Sequence, residues 1–97
     1  VIRHIVMWSL KDEADQPRFQ ALLESCRGLV PGMREFDVGV RSSALPAGLE
    51  ASTDVVLVST FDSIEALQAY QSHPAHKAVA AQLGPMRQAR QVLDYEF

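Results

Sequence analysis

Val55-Val56-Leu57-Val58-Ser59-Thr60-Phe61, running straight into Asp62-Ser63-Ile64-Glu65, is the stretch whose reading decides the fold. Seven residues dominated by β-branched and apolar side chains predict a strand. Asp62-Ser63-Ile64-Glu65 is a capping-box pattern that opens a helix. Val55 to Val58 are apolar at consecutive positions, not alternate ones, as in a strand covered on both faces.

Upstream, Ser42 to Thr53 is a loop with Pro46-Ala47-Gly48 at its middle, long enough to serve as a lid, an oligomer contact or a mobile connection. Met33 to Arg41 is a further strand, with Phe36, Val38 and Val40 on one face. Pro31-Gly32 makes the turn before it. Phe19, Leu22, Leu23 and Cys26 recur at i, i+3, i+4 and i+7, one face of an amphipathic helix that Asp15 can cap, with Pro17 in its first turn and Gly28 near its end. Ile2 to Leu10 is the opening strand, with Ile2, Val6 and Trp8 pointing one way and Ile5 and Met7 the other.

Downstream, Ile64, Leu67 and Tyr70 place one face of the second helix on the core. Ser72 followed by Pro74 restarts a helix, with Val79 and Leu83 on its buried side. Gly84-Pro85 ends it, and Val92 to Phe97 is the last strand, with Leu93, Tyr95 and Phe97 on one face. The order β-α-β-β-α(α)-β is the α+β, ferredoxin-like arrangement, a four-stranded antiparallel sheet with helices on one face. Residues 1–97 are expected to form a single domain. Helices bury only one sheet face, so the apolar second face predicts a homodimer with stacked sheets.

The chain carries a formal charge of -3 with no Lys/Arg cluster, which argues against nucleic acid or an anionic membrane as partner. No apolar run approaches the roughly 20 residues of a membrane span, and no basic-then-apolar leader opens the chain. Cys26 is the single cysteine, so no internal disulfide forms and a cytoplasmic location is expected. At a helical core position it reads as a buried, inert thiol.

Tyr70-Gln-Ser-His73-Pro-Ala-His76 places a phenol and two imidazoles across the junction between two helices, and His4 in the first strand is the remaining histidine. Phenol and imidazole both give and take protons. His76 suits a general base, because the positive end of its helix disfavours the imidazolium. Tyr70 suits a hydrogen-bond donor to a carbonyl oxygen, and His4 can orient a partner or bind a substrate oxygen. Structural roles are open for the same residues. His73 can bond backbone groups at the helix start, Tyr70 can be a core aromatic and His4 a satisfied core polar group. A metal site of His4, His73 and His76 has no Cys or carboxylate in ligand spacing beside it, so neither a metal nor a cofactor is expected.

The whole chain resembles the stress-responsive A/B-barrel (Dabb) family of the dimeric α+β barrel class. The resemblance rests on Ile2-Arg3-His4-Ile5-Val6, Pro31-Gly32, Val58-Ser59-Thr60-Phe61-Asp62-Ser63, Tyr70-Gln-Ser-His73-Pro-Ala-His76 and Asp94-Tyr95. It implies a dimeric barrel with a cavity between sheet and helices in each monomer. Some relatives are plant stress proteins; one relative is a plant polyketide cyclase that uses the His and Tyr of this pattern for an intramolecular aldol condensation without metal or cofactor. On that basis His4, Tyr70 and His76 are the matching positions. Loop 42–53 has no aromatic residue, where many relatives carry one just before the third strand.

Three readings compete. A binder or cyclase-like enzyme for a small hydrophobic, aromatic or polyketide-like molecule requires an apolar pocket of about 300 Å³ or more reaching those side chains. A non-catalytic stress or structural oligomer would have them packed solid. A cofactor-free monooxygenase is the third, by analogy of fold class alone.

Overall fold

Strand β1 (Ile2–Leu10) buries every second residue: Ile2, His4, Val6, Trp8 and Leu10 face inward, and the residues between them are half-buried on the other side. The computed structural model describes residues Val1–Phe97. After β1 come helix α1 (Gln16–Glu24), strands β2 (Met33–Val40) and β3 (Val55–Phe61), helices α2 (Ile64–Ser72) and α3 (Pro74–Leu83), and strand β4 (Arg87–Glu96). The four strands form one antiparallel sheet in the order β2-β3-β1-β4. This is the ferredoxin-like arrangement expected from the order of elements.

The inward positions of β1, β2 and β3 meet the helices in one core. Phe19 of α1 and Phe61 of β3 are completely buried, and Trp8 meets the Phe19 ring edge to face at 5.2 Å between centroids. Leu67 and Tyr70 from α2 and Val79 and Leu83 from α3 complete it. Ile64, expected on that face, is 48% exposed at the first position of its helix.

Four local expectations are corrected. Asp15 occupies the cap position of α1 without a side-chain bond; Asp12 accepts the Ala14 amide and caps the 3-10 turn Glu13–Asp15 that leads into the helix. Helix α1 ends at Glu24, so Cys26 is buried in the turn that follows. Ser63 alone caps α2, accepting the Ala66 amide at 3.1 Å, while the Asp62 carboxylate pairs with Arg34. His73, not Ser72, caps α3: its Nδ1 accepts the Ala75 amide at 3.0 Å. The residue before a proline is driven out of helical geometry, so the break between α2 and α3 falls on His73, at φ -63° and ψ 133°. Ser72 stays helical and its hydroxyl donates to the Gln68 carbonyl at 2.9 Å.

Gly32 is required where it stands. It has φ +87°, and a Cβ there would lie 3.0 Å from the Ala66 side chain. Its carbonyl accepts the Asp62 amide at 2.8 Å, which ties the entry of β2 to the exit of β3. Segment 42–53 contains no helix or strand, but its ends are fixed. Arg41 donates its amide to the Asp54 carbonyl at 2.8 Å, and Asp54 accepts the Leu10 amide at 2.7 Å through its carboxylate.

The opposite sheet face has no helix over it. Ile5, Met7, Val56 and Val58 are half-buried there, while Leu93 and Phe97 are largely exposed and Tyr95 is partly so. Arg3 lies across this face, 4.2 Å above the Phe97 ring centroid, and its NH1 donates to the Tyr95 hydroxyl at 3.2 Å. The Arg3 Nε and the Thr60 hydroxyl are buried without a partner on the same face. No helix is long and apolar enough to cross a membrane.

Gly32→Ala should destabilise the chain by about 1–3 kcal/mol, since it adds backbone strain to a close contact. Urea unfolding followed by far-UV circular dichroism measures it, and an unchanged midpoint would contradict the role given to this turn.

Candidate functional site

The two apolar periodicities place the candidate residues on opposite walls of one space. His4 is an inward position of β1, and Tyr70 and His76 flank the α2–α3 break. All three line a cavity of about 120 Å³ between the sheet and helices α1 and α3, with a mostly apolar lining that includes Trp8, Leu23 and Val79. The cavity reaches the expected side chains but is smaller than the expected 300 Å³. A fully enclosed apolar cavity near 150 Å³ holds one benzene ring, so a single ring, not a polyketide chain, matches this volume. None of residues 42–53 lines it, so the long loop is no lid over this cavity.

Tyr70 sits at the centre. Only 1% of its surface is exposed, and four rings surround it: His76 at 4.4 Å between centroids, Phe61 at 5.3 Å, His4 at 6.4 Å and Phe36 at 6.5 Å. Burial pushes its hydroxyl far above the ordinary phenol range, and the adjacent Cys26 thiol adds to the effect. It therefore stays protonated, a donor. Burial also pushes the Cys26 thiol up, against hydrogen bonds to Ser25 and Tyr70 that pull it down. A thiol so held is a poor nucleophile.

His76 is half-buried in the first turn of α3. Its Nδ1 is 3.2 Å from the Gln71 carbonyl, which only accepts, so the hydrogen resides on Nδ1 and Nε2 keeps its lone pair. Burial lowers its pKa below the ordinary imidazole value. The Gln71 carbonyl works the other way, and His4, Arg90 and His73 reinforce the lowering. The neutral imidazole is the form at neutral pH.

His4 is 5% exposed, and its Nδ1 is bonded to the Asp94 carboxylate. An ionised carboxylate only accepts, so this bond fixes the ring's orientation and leaves Nε2 free. Asp94 follows from register: β1 pairs with β4 so that His4 stands opposite Asp94, and partners across a ladder share a face. The sequence motif identified Asp94 only as part of the resemblance; the antiparallel pairing of first and last strands is the signal that places it.

His73 does not line the cavity, its Nδ1 being taken up by the Ala75 amide. No three His, Cys, Asp or Glu side chains are grouped as a metal ion would require. Two residues that the sequence reading passed over, Arg87 and Arg90, do line the cavity. They belong to the first half of β4, which the sequence placed outside any strand because Arg87 to Gln91 lacks an apolar alternation.

Among solved structures, a dimeric ferredoxin-like protein from Thermobifida fusca superposes with a TM-score of 0.82 at 27% identity, covering 99% of this chain and 90% of that one. A protein from Arabidopsis thaliana gives 0.78 at 26% identity over 100% and 95% of the two chains. The hydroxynitrile lyase of Passiflora edulis gives 0.79 at 22% identity over 97% and 90%, a likeness of fold. A comparison with curated protein sequences finds no match. The model of the stress responsive A/B barrel domain matches residues 2–97. With the ferredoxin-like sheet and the Tyr70–His76 segment in place around one cavity, the chain belongs to the stress responsive A/B barrel domain (Dabb) family.

Proposed function

We propose that this protein is a homodimer that binds a small hydrophobic or aromatic molecule in the sheet–helix cavity and performs cofactor-free acid/base chemistry on it. The observation that carries this reading is the convergence of His4, Tyr70 and His76 on one apolar cavity. In the reaction class considered, His76 Nε2 takes a proton from a carbon next to a carbonyl. The electron pair left behind forms the enolate, whose oxygen accepts a hydrogen bond from the Tyr70 hydroxyl. His4, oriented by Asp94, binds a further oxygen of the ligand. Returning the proton to another atom completes an isomerisation; attack of the enolate carbon on a second carbonyl, with the proton on His76 passing to the alkoxide so formed, completes an aldol cyclisation.

A wholly structural role accounts less well for a vacant volume beside Tyr70 and for a neutral His76 with a free nitrogen. His73 is different: its imidazole is engaged as a helix cap, and it has no part in the proposed chemistry.

The second face of the sheet supports the dimer. Leu93 is 60% and Phe97 59% exposed, and Ile5 of β1 links Leu93 to half-buried Val58 across the sheet, an apolar surface of the kind that a second copy covers. The Thermobifida fusca relative is itself dimeric. Light scattering on a gel-filtration column should give a dimer mass at low micromolar concentration, and Leu93→Lys should shift it toward the monomer. A monomeric parent protein would remove the dimer.

The chemistry has its own test. Deuterium exchange into the methyl group of acetophenone, followed by proton NMR, should be accelerated by the parent protein. His76→Ala should lose about 10²–10⁴-fold of that acceleration, and Tyr70→Phe about 10²–10³-fold. Equal rates in all three proteins would rule out these residues as the acid/base pair. A thermal-shift screen with small aromatic compounds separates binding from turnover: shifts present in the parent and lost in His76→Ala and Tyr70→Ala support binding at this site.

A further inference from the structure

The chain has seven arginines, and five of them hydrogen-bond to a side chain of the same chain. Arg27 pairs with Glu24, Arg34 with Asp62, and Arg41 with Glu13 and Asp54. Arg3 donates to Tyr95 and Arg18 to Gln82. The two without such a partner, Arg87 and Arg90, are the two that line the cavity. Acidic residues outnumber basic ones twelve to nine in this chain, so the lack of a partner at these two does not come from a shortage of carboxylates.

Their placement depends on an irregularity in the sheet. Residues three apart in a regular strand point to opposite faces. Here the register between β1 and β4 shifts between Ser9 and Leu10: Trp8 is paired with Arg90, Ser9 with Ala89, and Leu10 with Arg87, so that Gln88 is the extra residue. Such a bulge re-aims a side chain. It turns Arg87 to the helix side, where Arg90 already stands opposite the inward-facing Trp8. Across the cavity no aspartate or glutamate is present among the lining residues. Asp94, the carboxylate nearest along β4, is engaged with His4.

We infer that the ligand of this cavity carries a carboxylate, held by Arg87 and Arg90 at the mouth beside β4 while its apolar body lies against Trp8, Val79 and Leu83. The inference rests on the proposed binding role of the cavity and narrows it to small hydrophobic carboxylates. A guanidinium presents a planar fork of donors that matches a carboxylate, and an unpaired arginine beside an apolar surface is weakly hydrated and ready to bind one. The apolar space suits a single ring, and the arginines set which end of the molecule faces out.

Benzoate and benzamide, nearly isosteric and differing in charge, test this directly. Proton–nitrogen correlation spectra titrated with each compound give both the site, from the amides of His4, Tyr70 and His76, and the dissociation constant. Benzoate should bind at least about tenfold more tightly than benzamide. Arg87→Gln combined with Arg90→Gln should abolish that preference. Arg18→Gln, which removes the same charge from an arginine outside the cavity, should keep it. Equal affinities in the parent protein, or a preference that survives the double substitution, would overturn the carboxylate and leave the cavity as a binding site. Failure of both compounds to perturb the cavity amides would overturn the binding role itself, and the carboxylate with it.

Discussion

The packing of four rings around the phenol of Tyr70 joins the helices to the sheet and creates the cavity at the same point. Phe36 and Phe61 bring the sheet to it, His76 brings the second half of the broken helix, and His4 brings the central strand. Aromatic pairs at these separations add about 0.5–1.5 kcal/mol each beyond the burial of their area. The hydroxyl at the far end of the ring is the one part of Tyr70 that packing leaves to polar neighbours. The ring thus serves packing, and the hydroxyl is the end available for the proposed hydrogen bond.

A proline sets the geometry of that junction. Pro74 forbids helical backbone at His73, so the chain breaks there and restarts, and His76 falls in the first turn of a new helix. In an unbroken helix the Gln71 carbonyl would be committed to the amide of Ala75, four residues on. In the broken one it receives the His76 Nδ1 hydrogen, which leaves Nε2 as the nitrogen free to take a proton. The motif's spacing is therefore a means of fixing a tautomer.

Much of the sheet was legible, because the consecutive apolar residues of Val55–Val58 and the alternation of Ile2 to Leu10 are strong strand signals. The site was legible in part. Tyr70, His4 and His76 were found from residue type and motif, whereas Arg87 and Arg90 were missed together with the start of β4. Arg87-Gln88-Ala89-Arg90-Gln91 has no apolar period: its helix-side positions border a cavity mouth instead of a packed core, and the bulge at Gln88 breaks the count of two. The capping roles of Ser63 and His73 were displaced by one residue for a related reason. Caps are decided by backbone geometry at single positions, which alternation does not encode. Asp94 lay within a recognised motif, but its pairing with His4 depends on strand register across ninety residues of chain.

His76 is where the sequence, the helix break and the cavity meet, and its titration reads all three. Its folded pKa lies below that of an ordinary imidazole because burial penalises the cation. The unfolded chain then binds more protons near and below pH 6.5, so this contribution to stability is complete above that value and is lost as the pH falls. Long-range proton–nitrogen NMR of the three imidazoles between pH 4 and 8 measures both quantities at once (about the range over which imidazoles titrate). His76 is expected to carry its hydrogen on Nδ1 and to titrate below the ordinary imidazole value. A His76 with its hydrogen on Nε2, titrating at or above that value, would contradict it.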